Sequence, residues 1–245
     1  TEYAFLAVVR LLQGSPLQVR LLLTAPQRVE GINPACIQVV PGLAAAIQAA
    51  EGCLGLVFRP GFASAADWEA LEQAPVPLLP WLHNLGCDQQ GRYEALAAVA
   101  RWLLVSGAQL DAFRHSRLAQ RAVVLPNPVA VPPAQGQARS LEQACAARDL
   151  AYVGALTPFK GFDRLAGQWA AIARACPQAR LRVFGGADLY GARAASGDLT
   201  PYERHCRQLL QRVGCADRVV FEGSCGLERY AAFEQVAVGV VNPSG

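Results

Sequence analysis

The sequence predicts an α/β protein made of two successive domains, each a doubly wound parallel sheet. Three observations carry that prediction. Strand-like apolar runs alternate with helical patterns along the whole chain, the mark of repeated β-α units. Runs such as Arg20-Leu21-Leu22-Leu23 lack period-2 alternation, as expected when helices cover both faces of a parallel sheet. The alternation is also interrupted once, by VVLPNPVAVPPAQGQA at residues 123–138, and then restarts. A proline- and glycine-rich stretch of this kind reads as a linker. The expected domains are residues 1–125 and 141–245, with 126–140 between them. With 245 residues, 53% of them hydrophobic, the chain can bury substantial cores in about one to two domains.

Helical patterns are expected over 2–12, 44–50, 65–73 and 92–101. Strands are expected at Val19–Thr24, Cys36–Val40, Cys53–Phe58, Val76–Trp81 and Leu103–Ser106, with a final strand just before the linker. After it come strands at Ala151–Val153, Arg180–Phe184, Val219–Glu222 and Val236–Val241. Helices at Phe162–Cys176, Pro201–Val213 and Leu227–Phe233 separate them.

Composition excludes several classes. Net charge is +3, with the charged residues scattered, so there is no concentrated basic patch for nucleic acid. The basic pI near 8.5 suits an anionic small substrate or peripheral contact with an anionic membrane surface. Eight cysteines show no CxxC or CxxH spacing, so neither a metal site nor a redox pair is expected. They read as reduced packing residues of a cytoplasmic protein. No apolar run is long enough to span a bilayer. The chain contains no methionine and stops directly after a strand-like run, from which we expect a piece of a longer protein. Oligomeric state is not legible.

Of 22 basic residues one is lysine, Lys160, and it falls in the most informative segment, AYVGALTPFKGFD at 151–163. There a strand ends at Gly154, a turn containing Pro158 follows, and Lys160-Gly161 is expected to open a helix. Such a helix end offers unpaired N–H groups and a positive dipole, which favour an anion. Lysine adds a full charge suited to a diphosphate. The carboxyl end of a doubly wound sheet is also where ligands bind. Gly185-Gly186 ends a second strand and Gly223-Ser224 a third, positions where a ligand can approach backbone closely. A fourth strand runs into Asn242-Pro243-Ser244. No GxGxxG and no GxxxxGK[ST] occurs, so neither fingerprint applies. In the amino-terminal half, Trp81-Leu82-His83-Asn84 follows a strand. His115 and His205 sit among charged residues in helical patterns and read as surface.

These segments, in this order, resemble the carboxyl-terminal donor domain of glycosyltransferase family 4. The matching residues are Pro126-Asn127-Pro128, Tyr152-Val153-Gly154 through Lys160-Gly161-Phe162, and Cys176 to Leu181, followed by Phe221-Glu222-Gly223 and Asn242-Pro243-Ser244. The resemblance implies the GT-B fold, two Rossmann-like domains facing across a cleft. It implies transfer of a sugar from a nucleoside diphosphate sugar to an acceptor hydroxyl, with retained anomeric configuration. No metal and no cofactor are implied beyond the donor itself. Gly154, Lys160, Gly161, Gly185, Gly186, Gly223 and Ser224 would then be donor-binding. His83 would be the catalytic, acceptor-side histidine, with Asn84 beside it. The acceptor would be a sugar, lipid or polysaccharide, in glycan or cell-envelope synthesis at the inner face of a membrane. The family's arginine after the first glycine is Ala155 here, which leaves Lys160 as the main side-chain cation. Its acidic motif after the Pro-Ser turn is not in the sequence. A sugar-nucleotide epimerase, a bilobal solute-binding protein and a non-catalytic binding or interaction subunit are the alternatives the residues leave open.

Overall fold

The structure, a computed structural model, describes residues 2–128, 140, 142–143, 146, 148–186, 199–223 and 239–241. The chain divides into two compact units, Thr1–Pro132 and Pro133–Gly245.

The first unit contains helix α1 (Glu2–Leu12), strands β1 (Leu21–Leu23) and β2 (Ile37–Val39), and helix α2 (Leu43–Ala49). Then come β3 (Leu56–Phe58), α3 (Ala65–Glu72), β4 (Leu78–Leu82), α4 (Gln90–Ala95), β5 (Trp102–Leu104), α5 (Gly107–Ala112) and β6 (Ala122–Val124). β1 and β2 form a parallel pair, and β3-β4-β5-β6 form a parallel sheet in chain order. Trp68, Leu71, Leu78, Tyr93, Trp102, Leu104 and Leu118 are buried together beneath that sheet and its helices. α3 starts where Ser64 and Asp67 form a reciprocal capping box, which satisfies two otherwise orphan N–H groups.

An element that departs clearly from the sequence reading is the helix expected over 92–101. It stops at Ala95, and the chain beyond runs parallel to the start of β4, with Val99 bridged to Leu78. Leu78 N–H donates to Ala98 O (2.8 Å) and Ala100 N–H donates to Leu78 O (3.0 Å). Leu96 and Val99 are buried by this arrangement, and Arg121 holds Val99 O at 2.6 Å and Glu94 O at 2.9 Å. Tertiary pairing overrides a weak helical preference here. Ser106, expected to end a strand, instead caps α5 by accepting from Gln109 N–H.

The second unit contains β7 (Asp149–Val153), α6 (Phe162–Ala175), β8 (Arg180–Phe184), α7 (Pro201–Arg212), β9 (Val219–Gly223) and β10 (Gly239–Val241). All four strands are parallel, in the order β10-β7-β8-β9. From β7 the chain winds one way to β8 and β9, and β10 returns on the other side. The winding direction therefore reverses between β7 and β10. α6 buries Phe162, Leu165, Ala166, Trp169 and Ala173, the helical spacing that marks one face. α7 is capped by Thr200 and begins with Pro201, a pairing suited to a first turn. The expected helix at 227–233 lies outside the described residues. Among those described, no helix is long and apolar enough to cross a membrane.

Two glycines test the packing of this unit. Gly185 sits at φ +147°, and a Cβ there would lie 1.9 Å from Gly154 O. We expect Gly185→Ala to destabilise the unit by about 3 kcal/mol or more. Gly167, inside α6 with nothing within 4 Å of a Cβ, should gain roughly 1 kcal/mol on replacement by alanine. Chemical denaturation of the two variants checks both signs.

Candidate functional site

The strand ends of the second unit are joined by backbone bonds among the glycines. Gly154 N–H donates to Phe184 O at 3.0 Å, Gly185 N–H to Gly223 O at 2.8 Å, and Leu156 N–H to Gly186 O at 3.1 Å. Gly154, Gly185, Gly186 and Gly223, far apart in sequence, thus form one continuous floor at the carboxyl edge of β7, β8 and β9. Gly185 is glycine because the backbone of Gly154 lies against it, a different reason from the ligand approach expected from the sequence. At Gly223, φ is +79° and the space beside a Cβ is open. Ser224 lies outside the described residues, as do Asn242, Pro243 and Ser244.

The loop from β7 rises off this floor. Tyr152, 1% exposed, donates from its hydroxyl to Ala155 O at 3.0 Å, and burial pushes that hydroxyl's pKa up to about 12. It therefore remains a donor at any working pH. Pro158–Lys160 forms a single 3-10 turn that ends at Gly161, φ +66°. Lys160 does not itself open the helix; the left-handed Gly161 stands between it and α6. Lys160 is half-buried, its Nζ lies 5.5 Å from the Phe159 ring centroid, and no ion pair joins it to a described residue.

The helix end behind Lys160 is less open to an anion than expected. Asp163 N–H donates to Tyr202 Oη at 3.0 Å, and that hydroxyl donates back to Asp163 Oδ1 at 2.7 Å. Arg164 N–H donates to Gly161 O at 3.1 Å. The Asp163 carboxylate also occupies the first turn of α6, where it already meets the helix dipole. Within this loop Lys160, rather than free amides of α6, is the cationic feature. Tyr202 is 39 residues from Asp163, and no local signal announces the pairing. Burial and the Asp163 contact push the Tyr202 hydroxyl well above its ordinary range.

In the first unit His83 follows β4 directly, at the carboxyl edge. It packs on Trp81 (centroids 4.7 Å apart) and Phe5 (5.9 Å), and its Nε2 is buried without a hydrogen-bond partner among the described residues. Asn84 O accepts from the Gln109 side chain. That side chain is buried and also accepts from Val105 N–H at 2.8 Å, so Gln109 ties the loop after β4 to the loop after β5. The role of Gln109 is invisible in the sequence, where it is one glutamine in a short polar turn. His83 and Asn84 thus belong to one unit and the glycine floor with Lys160 to the other.

Burial lowers the His83 pKa to about 4, and the positive charges of the amino terminus and of Arg59 add to the effect. The imidazole is therefore neutral near pH 7: a hydrogen-bonding group, not a cation. Because the folded value lies below the unfolded value near 6.5, the unfolded chain binds the extra proton first as pH falls. This contribution to stability is whole above about 6.5 and is lost as pH drops toward 4. Imidazole resonances followed by NMR should titrate near 4 for His83; a midpoint between 6 and 7 would remove the argument for a permanently neutral ring.

No protein-family model matches the chain, and no curated protein sequence does. Solved structures match its fold. A glycosyltransferase from Rickettsia africae ESF-5 superimposes with a TM-score of 0.68 at 11% identity, over 99% of this chain and 69% of that one. Sucrose-phosphate synthase from Thermosynechococcus elongatus gives 0.53 at 19% identity, over 82% of this chain and 53% of that one. Anabaena HepE, solved in complex with UDP, gives 0.50 at 17%, over 78% and 56%. The chain spans little more than half the length of the last two. Its parallel α/β units have the architecture of GT-B glycosyltransferases.

Proposed function

We propose that the chain is the sugar-transferring part of a retaining glycosyltransferase. It would take a sugar from a nucleoside diphosphate sugar and pass it to an acceptor hydroxyl in glycan or cell-envelope synthesis, in the cytoplasm. The observation that carries the proposal is the position of Lys160. It stands on the loop after β7, the strand beside which the sheet reverses direction, and such switch points are where ligands meet open α/β sheets. The glycines at the carboxyl ends of β7, β8 and β9, in the same unit, present backbone without side chains. The architecture shared with glycosyltransferases, one of them solved with UDP, supports the same reading.

In the reaction the bond between the sugar's anomeric carbon and the diphosphate oxygen breaks, and a bond from that carbon to the acceptor oxygen forms. The acceptor's proton leaves with the departing diphosphate. The barrier lies in charge building on that diphosphate, and a fixed cation in a water-poor site lowers it. Lys160 supplies the cation, and the proposal assigns the step neither a metal nor a cofactor. Gly154, Gly185 and Gly223, which are partly exposed, would let the donor lie against backbone, while Gly161 and Gly186, which are buried, would hold the loop and the strand end in place. Ala155, 4% exposed with its carbonyl held by Tyr152, contributes no charge, so the phosphates depend on Lys160. His83, held neutral, and Asn84 serve the acceptor side.

A screen of nucleoside diphosphate sugars by thermal shift identifies the donor, since a ligand that binds only the folded state raises its stability. With that donor, Lys160→Ala should lower kcat/KM about 10²- to 10³-fold, the scale of one lost transition-state contact. Lys160→Arg should recover part of it. Near-normal turnover by Lys160→Ala, or release of an epimer without acceptor, would sink the assignment.

A further inference from the structure

Lys160 and Asp163 stand three residues apart, the spacing at which side chains meet around a helical turn. Asp163 is also the acidic residue nearest Lys160 along the chain. An ammonium and a carboxylate so placed would ordinarily pair, yet no ion pair joins them. The Lys160 ammonium lies over the Phe159 ring instead, 5.5 Å from its centroid, and the Asp163 carboxylate goes to Tyr202.

Tyr202 is brought there from another helix. It is the second residue of α7, whose start is fixed by Thr200 Oγ1 accepting from Glu203 N–H at 3.2 Å, with Thr200 and Glu203 both buried. The Tyr202 hydroxyl accepts from Asp163 N–H and donates to Asp163 Oδ1, so backbone and carboxylate are gripped together. Two other carboxylates of this unit are held differently. Glu203 Oε1 lies 2.9 Å from the Arg207 guanidinium, and Glu222 Oε1 lies 2.8 Å from that of Arg182. Of these three, Asp163 takes a neutral donor although a lysine stands three residues away. A lysine held in an ion pair must give that pair up before it meets a phosphate.

We propose that Tyr202 is a positioning residue for Lys160: its hydroxyl holds the Asp163 carboxylate as a neutral partner and keeps it off the ammonium, leaving the cation free for a diphosphate. Tyr202 acts through Asp163, not by contact with the donor. The role rests on reading Lys160 as the cation that meets the donor's phosphates. Removing the hydroxyl alone frees the carboxylate to turn to Lys160, while the phenyl ring keeps its packing.

A double-variant cycle tests it: wild type, Tyr202→Phe, Asp163→Asn, and Tyr202→Phe with Asp163→Asn. Calorimetric titration with a nucleoside diphosphate in low-salt buffer should show Tyr202→Phe binding about fivefold more weakly, the scale of one partly exposed ion pair. Asp163→Asn alone should bind no more weakly than wild type. The double variant should return to within about twofold of wild type, because the amide carries no charge for Lys160. A helix end that was merely loosened would not be repaired in this way. A double variant that binds no better than Tyr202→Phe, or unchanged affinity in Tyr202→Phe, therefore overturns the role. The methyl resonance of reductively methylated Lys160, which keeps its charge, gives a readout without any nucleotide. It should move in Tyr202→Phe and return in the double variant. If wild type binds no nucleoside diphosphate, the donor reading fails while that pattern still sustains the Tyr202–Asp163 arrangement; an unmoved resonance removes the arrangement and leaves the donor reading to its own test.

Discussion

The contact between the Gly185 backbone and the Gly154 carbonyl is the constraint on which the second unit depends. It brings the ends of β7 and β8 closer than any side chain would permit, and the bond from Gly185 N–H to Gly223 O extends the same junction to β9. The loop with Lys160 starts from that junction. Its own geometry is then fixed from below by the Tyr152 hydroxyl and at its far end by the left-handed turn at Gly161. A mobile lysine on a long surface loop would lose side-chain and backbone entropy on meeting a phosphate. Here most of the backbone ordering is already done by folding.

The helix end beside the Lys160 loop is largely satisfied by the fold itself. α6 directs its amino end toward the loop, but Tyr202 and Asp163 consume much of what that end offers. Ala155 is sealed into the core. Within the loop after β7, Lys160 carries the positive charge, in a chain that otherwise uses only arginine for its basic side chains. On the other unit the logic is inverted: burial keeps His83 uncharged near pH 7.

Much of the fold was legible because strand and helix patterns here are strongly separated by glycine and proline. β8 and the start of α6 fall where the apolar spacing puts them, and the reversal at β10 follows from parallel pairing that no local pattern encodes. Residues 96–101 were misread because Leu96 and Val99 satisfy a helical spacing while their backbone is claimed by Leu78. In the candidate site, glycine identity pointed to the correct strand ends, yet the reason at Gly185 is a neighbouring backbone. The Tyr202–Asp163 and Gln109–Asn84 bonds cross 39 and 25 residues. Contacts of that span leave no trace in sequence spacing, and they decide how open the helix end is and how the loop after β4 is held.

Lys160 is the only lysine in the chain, so reductive methylation with labelled formaldehyde places one side-chain probe there while preserving its charge. Its methyl resonance can be followed by NMR during titration with a nucleoside diphosphate and with the matching nucleoside. A donor site at this edge predicts a saturable shift with the diphosphate and none with the nucleoside. Saturable binding of the diphosphate, detected calorimetrically, with an unmoved Lys160 resonance would contradict it.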